Sequence, residues 1–202
     1  AALEKFTLSQ QLLEDFRARH PGALPVLGPL FDLYATRARL AADHGRFADA
    51  LPDWDRAAAI APSPGDLRFI RMNRLLALAH GSFGERALKE AAELAADETL
   101  GPDDCFYVGR NLAIVSSSQR SDLTRLEADC MLLGDRYASL SFQFLTKAGA
   151  LGYFRDHPWG ELLERDPAFW SFRDRDDFRA LLTDQSPPRP VAQRPRTGTQ
   201  DH

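Results

Sequence analysis

Cysteine is scarce in this chain, with two in 202 residues, and long apolar runs are missing altogether. Cys105 and Cys130 form no Cys-x-x-Cys and have no second pair to complete a zinc site, so a disulfide framework is not expected. Their place within helical apolar patterns points instead to two buried, reduced thiols of a cytoplasmic-type protein. Apolar runs such as 75–79 fall far short of the roughly 20 residues that cross a bilayer, so no membrane span is expected. Val and Ile number only four and three, too few for strand-like alternation. A surplus of positive charge is also lacking: 25 Lys and Arg stand against 29 Asp and Glu, a net charge of −4. A general nucleic-acid binder needs a basic face to neutralise phosphates, and no nucleic-acid partner is expected here. The start, Ala-Ala-Leu-Glu-Lys, has neither the charged region nor the apolar core of a signal peptide, and no Met, which suggests a piece of a longer polypeptide.

Ala, Leu, Arg and Glu are abundant, and apolar positions recur at helical spacing, so the fold class is all-α. Gly and Pro punctuate the chain at 21–22, 45, 62–65, 81–84, 101–102, 134 and 149–152. Helices are expected over 3–19, 25–44, 47–60, 65–80, 84–96, 103–118 and 122–150, with a break near Gly134. Short loops between consecutive helices make antiparallel neighbours, hence stacked helical hairpins.

The hairpins repeat. His44-Gly45-Arg46-Phe47 opens a segment in which Ala50, Trp54 and Ala57 fall at spacing 0, 4, 7, ended by Pro62. Gly81-Ser82-Phe83 precedes Ala87, Ala91 and Leu94 at the same spacing, and Ser141, Leu145 and Ala148 repeat it again after Asn111-Leu112-Ala113. The first two copies are 37 residues apart and the last two 54, which places an insertion of 17 residues at about 116–133. Gly takes the turn, the small residues let helices approach, and Trp54 fills the gap between hairpins. The pattern over 25–151 resembles tetratricopeptide repeats, although Arg37 stands where that family usually has Leu. The resemblance implies a short right-handed solenoid.

Residues 153–179 have another texture, with seven aromatic and twelve charged side chains in 27 positions. Phe154, Trp159, Leu162, Leu163, Phe169, Trp170, Phe172, Phe178, Leu181 and Leu182 are spaced for two short helices about the Asp166-Pro167 turn, a cap for the open end of the stack. The organisation expected is an N-terminal helix in 1–24, repeats in 25–151, an aromatic-rich cap in 152–185 and a disordered tail in 186–202. The strings at 147–154, 162–167 and 172–182, with the stretch 12–21, are similar to the tetratricopeptide region at the C-terminal end of planctomycete-type bacterial serine/threonine protein kinases. That resemblance implies a protein-binding module attached to a kinase domain. The chain itself carries no Gly-rich phosphate loop, His-Arg-Asp loop or Asp-Phe-Gly triplet, so it is not expected to be an enzyme.

Other chemistry has plainer readings. Asp53 and Asp55 flank Trp54 without sharing a helix face, and Asp174, Asp176 and Asp177 alternate with Arg173, Arg175 and Arg179, so both groups read as solvated or salt-bridged. An enzyme using the cap carboxylates is the weakest alternative. His20, His44 and His80 suit helix ends, and no His-x-x-x-His suggests a metal; no cofactor is expected. Ser116-Ser117-Ser118 reads as a polar helix end or loop, and Trp54, Trp159 and Trp170 read as core. In tetratricopeptide folds the first helix of each hairpin lines a concave groove. Mapped through the turns, that groove takes Asp32, Ala35 and Arg39, then Arg68, Arg71 and Leu75, then Tyr107, Arg110 and Ile114. Arg39, Arg68, Arg71, Tyr107 and Arg110 would form a basic groove with an aromatic edge, suited to an acidic peptide or a C-terminal carboxylate. Self-association through the terminal hairpins or the insertion is the alternative function.

Overall fold

The structure, a computed structural model, describes residues 2–20, 27–81, 83–120, 126–156 and 165–179. Eight α-helices follow in order among them: α1 (Ala2–Arg19), α2 (Leu27–Asp43), α3 (Phe47–Ala59), α4 (Pro64–His80), α5 (Gly84–Ala95), α6 (Pro102–Arg120), α7 (Glu127–Ala150) and α8 (Tyr153–Asp156). A 3-10 helix at Pro167–Phe172 and a helical turn at 176–179 complete the regular structure. Every regular element among the described residues is helical, and none of these helices is long and apolar enough to cross a membrane. The tail 186–202, Trp159, Leu162, Leu163, Leu181 and Leu182 lie outside the described residues.

Local chemistry sets the helix ends. After α2 the chain reverses through Gly45 at φ 72°, with the Arg46 amide on the Ala41 carbonyl and the Gly45 amide on the Ala42 carbonyl. This paired closure satisfies the last carbonyls and needs a left-handed residue, which Gly supplies. Ser63 caps α4: its Oγ accepts the Asp66 amide at 3.1 Å and donates to Asp66 Oδ2 at 2.6 Å, and Pro64 occupies the first turn, where an amide is not needed.

Consecutive helices pack on one another: α1 on α2, α2 on α3, α3 on α4, α4 on α5 and α6 on α7. Along one side α4 also touches both α2 and α6, and α6 touches α8; along the other, α5 touches α7. A continuous apolar core runs through the stack, with Trp54, Leu75, Leu94, Leu112, Tyr137 and Phe144 essentially removed from solvent. Ala38, Ala50, Ala57, Ala87 and Ala91 are fully buried, the small side chains that let neighbouring helices approach.

The α6–α7 pair replaces the expected break near Gly134 with close contact. Ser116 Oγ donates to the Gly134 carbonyl and Ser141 Oγ donates to the Gly109 carbonyl, both at 2.7 Å. A Cβ on Gly109 would meet Leu145 Cγ at 2.9 Å, and one on Gly134 would meet Arg120 Cγ at 2.5 Å. These glycines are places where one helix backbone lies against the other, so α7 runs unbroken from Glu127 to Ala150. Ser116 is likewise neither loop nor helix end but a fully buried residue inside α6. The described residues of the segment 116–133 extend these two helices.

Beyond α7 the aromatic segment folds back onto the stack. Phe154, Phe169, Phe172 and Phe178 are buried, Phe142 and Phe172 have ring centroids 5.0 Å apart, and Tyr153 stacks on Phe106 at 4.3 Å. Trp170 departs from the core reading: it is 57% exposed, with the Arg173 guanidinium 5.4 Å from its ring centroid. In a three-residue-per-turn helix Phe169 and Phe172 share the inner edge, which turns Trp170 outward.

Candidate functional site

Charged side chains between the helices follow a pattern. In the α2–α3 hairpin the Arg37 guanidinium grips Asp53 with Nε and Nη2, and Arg56 adds a contact to Asp53 Oδ1 at 3.1 Å. In α4–α5, Arg74 Nη2 donates to Glu90 Oε2 at 2.6 Å. Arg37 and Arg74 are 37 residues apart, as are Asp53 and Glu90, the same period as Ala50 and Ala87. The two carboxylates are only 5% and 7% exposed, so each buried charge keeps a partner. Arg37 thus faces a buried carboxylate of the neighbouring helix. The hydrogen bond to Asp53 raises the Arg37 pKa, while for Arg74 burial opposes the charge and the bonds to Glu90 and Asp55 outweigh it. Asp55 receives Arg74 Nη1 at 3.0 Å, so the carboxylates flanking Trp54 hold arginines on different helices.

The groove residues read from the sequence fall into two groups. Arg68 donates through Nη1 to the Thr99 carbonyl at 2.9 Å, and its Nε lies 3.3 Å from Asp104. Arg71 binds Glu90 at 3.0 Å and Glu93 at 3.0 Å, tying α4 to α5. Arg110 clamps Asp166 with two bonds, at 2.5 and 3.0 Å, tying α6 to the cap. These three guanidiniums already hold carboxylates of their own chain, which lie 19 to 56 residues away in sequence and give no local signal. Leu75 is in the core rather than on a surface. Arg39 and Tyr107 remain open: Arg39 is exposed with no ion pair among the described residues, and Tyr107 is 42% exposed. Asp32 is exposed, and Ala35 and Ile114 are half-buried.

The side on which α2, α4 and α6 adjoin carries a second recurrence. Phe69 on α4 is 43% exposed, and one turn later Asn73 Nδ2 donates to its carbonyl at 2.8 Å. On α6, Tyr107 is followed by Asn111, whose Nδ2 donates to the Tyr107 carbonyl at 2.8 Å. Each amide is therefore anchored by its nitrogen beside an exposed ring. Tyr107 Oη points to Asn73 Oδ1 at 3.5 Å, joining the two pairs. Burial, then the negative charge of Asp43, raises the Tyr107 pKa. Asp43 is one turn beyond Arg39 on α2. Phe69 and Asn73 were missed by the basic-groove reading, yet aromatic-x-x-x-Asn stands twice in the sequence.

The clustered cap carboxylates Asp174, Asp176 and Asp177 are in ion pairs. Asp177 accepts from Arg175 at 3.0 and 2.8 Å, which lowers its pKa, and Arg179 lies 3.4 Å from Asp174 and 3.5 Å from Asp176. Among the described residues no three His, Cys, Asp or Glu are grouped so as to hold a metal ion. No family model matches the chain, and no curated protein or solved structure matches it.

Proposed function

We propose that the chain is a non-enzymatic protein- or peptide-binding module, a short tetratricopeptide-like solenoid that receives its partner on the α2–α4–α6 side. The carrying observation is the pair of exposed rings, Phe69 and Tyr107, each with an anchored Asn, presented on adjoining helices. Rings give contact area at low entropy cost, and fixed amide oxygens accept hydrogen bonds from an extended backbone. Recurrence of the buried Arg–carboxylate pair at the 37-residue period supports reading the hairpins as copies of one unit. Arg39 is the cation this face offers to an acidic residue of the partner, because Arg68, Arg71 and Arg110 are engaged within the chain. Following the sequence resemblance, the module serves as the C-terminal interaction region of a bacterial serine/threonine protein kinase, working in the cytoplasm without a cofactor. Peptides selected from a random displayed library on the wild type should bind Phe69→Ala/Tyr107→Ala at least tenfold more weakly; equal binding overturns the reading.

Self-association is a second reading, favoured by α1. That helix meets the stack through Leu13 and through Glu14, which accepts the Tyr34 hydroxyl at 2.5 Å, while Leu8, Leu12 and Phe16 stay 58%, 61% and 44% exposed at four-residue spacing. Light scattering decides it: a mass near 22.6 kDa at all concentrations removes this reading.

A further inference from the structure

A cleft of about 330 Å³ lies between α4 and α5, lined by Arg74, Leu78, Arg86, Lys89, Glu90 and Glu93. Its acids are already occupied. Glu90 gives one oxygen to Arg71 at 3.0 Å and the other to Arg74 at 2.6 Å, and Glu93 accepts Arg71 at 3.0 Å. Two of its cations are not. Arg86 and Lys89, three residues apart on α5 and so on one face, are exposed and make no ion pair among the described residues. Arg86 lies over the Phe83 ring at 5.9 Å. Arg74 also lines the cleft, and its buried Nε has no hydrogen-bond acceptor, although the other guanidinium nitrogens hold Asp55 and Glu90.

We propose that this cleft is a binding site for a phosphate monoester dianion. Arg86 and Lys89 are two lining cations without an ion pair among the described residues, and the three terminal oxygens of a phosphate monoester can accept from both at once. Leu78 is its one apolar lining residue, so the site takes a polar headgroup rather than an apolar body. Arg and Lys together give the directional and the point-charge contacts that phosphoryl oxygens accept. The site uses a different helix pair from the peptide face and does not depend on it.

The experiment is a calorimetric titration of the whole chain with inorganic phosphate and, separately, with a Gly-flanked phosphoserine peptide and its unphosphorylated form. Saturable binding of at least one phosphorylated arm is expected, with Kd on the order of 1 mM or tighter at low salt. Binding should weaken at least tenfold in Arg86→Gln/Lys89→Gln and be unchanged in Arg46→Gln, at the start of α3 and outside the cleft. Binding of both arms makes the phosphate alone sufficient; binding of the peptide arm alone assigns the source to a modified side chain, and either supports the site. No saturation by about 10 mM in either arm, equal binding of the unphosphorylated peptide, or an unaffected double variant overturns it. Arg86 and Lys89 make no ion pair among the described residues, so the double variant keeps the wild-type melting temperature, which checks that it folds.

Discussion

Replacing Arg37 by Met tests whether the buried ion pairs are structural necessities of this stack. Asp53 is 5% exposed and would keep only the Arg56 contact at 3.1 Å, from a side chain half exposed to water. Removing one partner of a buried pair costs several kcal/mol because the other charge is left without compensation, and the remaining Arg56 puts the expected loss at the low end, about 3 kcal/mol. For a chain of this size that corresponds to a melting temperature lower by about 6–12 °C. Arg37→Met/Asp53→Leu removes both charges and fills the space with apolar atoms, so it should lie within about 1 kcal/mol of the wild type. Urea unfolding of the wild type, both single variants and the double variant closes the cycle. A loss under about 1 kcal/mol in Arg37→Met, or a double variant that loses the sum of the singles, refutes the argument.

Three further outcomes follow from the packing. Gly109→Ala should destabilise by about 1–3 kcal/mol in urea, because the new Cβ meets Leu145 Cγ at 2.9 Å and the Ser141 carbonyl at 3.2 Å; an unchanged midpoint would mean that α6 and α7 lie further apart. Burial lowers the His80 pKa from its ordinary 6.5, in a setting of the stacked Phe47 ring with Arg46 and Asp49 across the same cleft. The unfolded chain therefore binds the proton more readily, so this contribution is full above about pH 6.5 and is lost as pH falls below it. His80→Phe should lose less stability than the wild type between about pH 7.5 and 5.5, and equal losses would refute the assignment. Cys105 is fully buried and its thiol pKa is raised by that burial, and Cys130 is buried too, so a thiol reagent should modify both only after unfolding.

The helices were legible because their punctuation is local. Gly45, Pro62 and Gly81 act within one or two turns, and the Ala50, Ala87 and Ser141 series set their spacing. Gly134 misled because a glycine that ends a helix and one that admits a neighbouring backbone look alike in sequence; only the Ser116 hydroxyl on its carbonyl tells them apart. Trp170 misled because a large aromatic in a capping segment is more often core, whereas here the chain turns every three residues and Phe169 and Phe172 take the inner edge. Arg68, Arg71 and Arg110 were visible as cations on first helices, but their carboxylates sit on other helices or in the cap, a long-range pairing that no spacing rule encodes. The 37-residue match of Arg37 with Arg74 and of Asp53 with Glu90 was present in the sequence, hidden because Asp and Glu differ as residue types and the pairing spans two helices.

The central claim is that the rings on α4 and α6 form a peptide-binding face. Affinities of library-selected peptides for the wild type, Phe69→Ala/Tyr107→Ala and Arg39→Glu test it most directly, with melting temperatures recorded for each. These substitutions break none of the ion pairs between helices, whereas Glu at Arg68, Arg71 or Arg110 would unfasten α4 from α5 and α6, or α6 from the cap. Binding should fall at least tenfold in the ring variant, and acidic peptides should weaken selectively in Arg39→Glu. Peptides that bind all three proteins equally would contradict the claim and move the binding surface elsewhere.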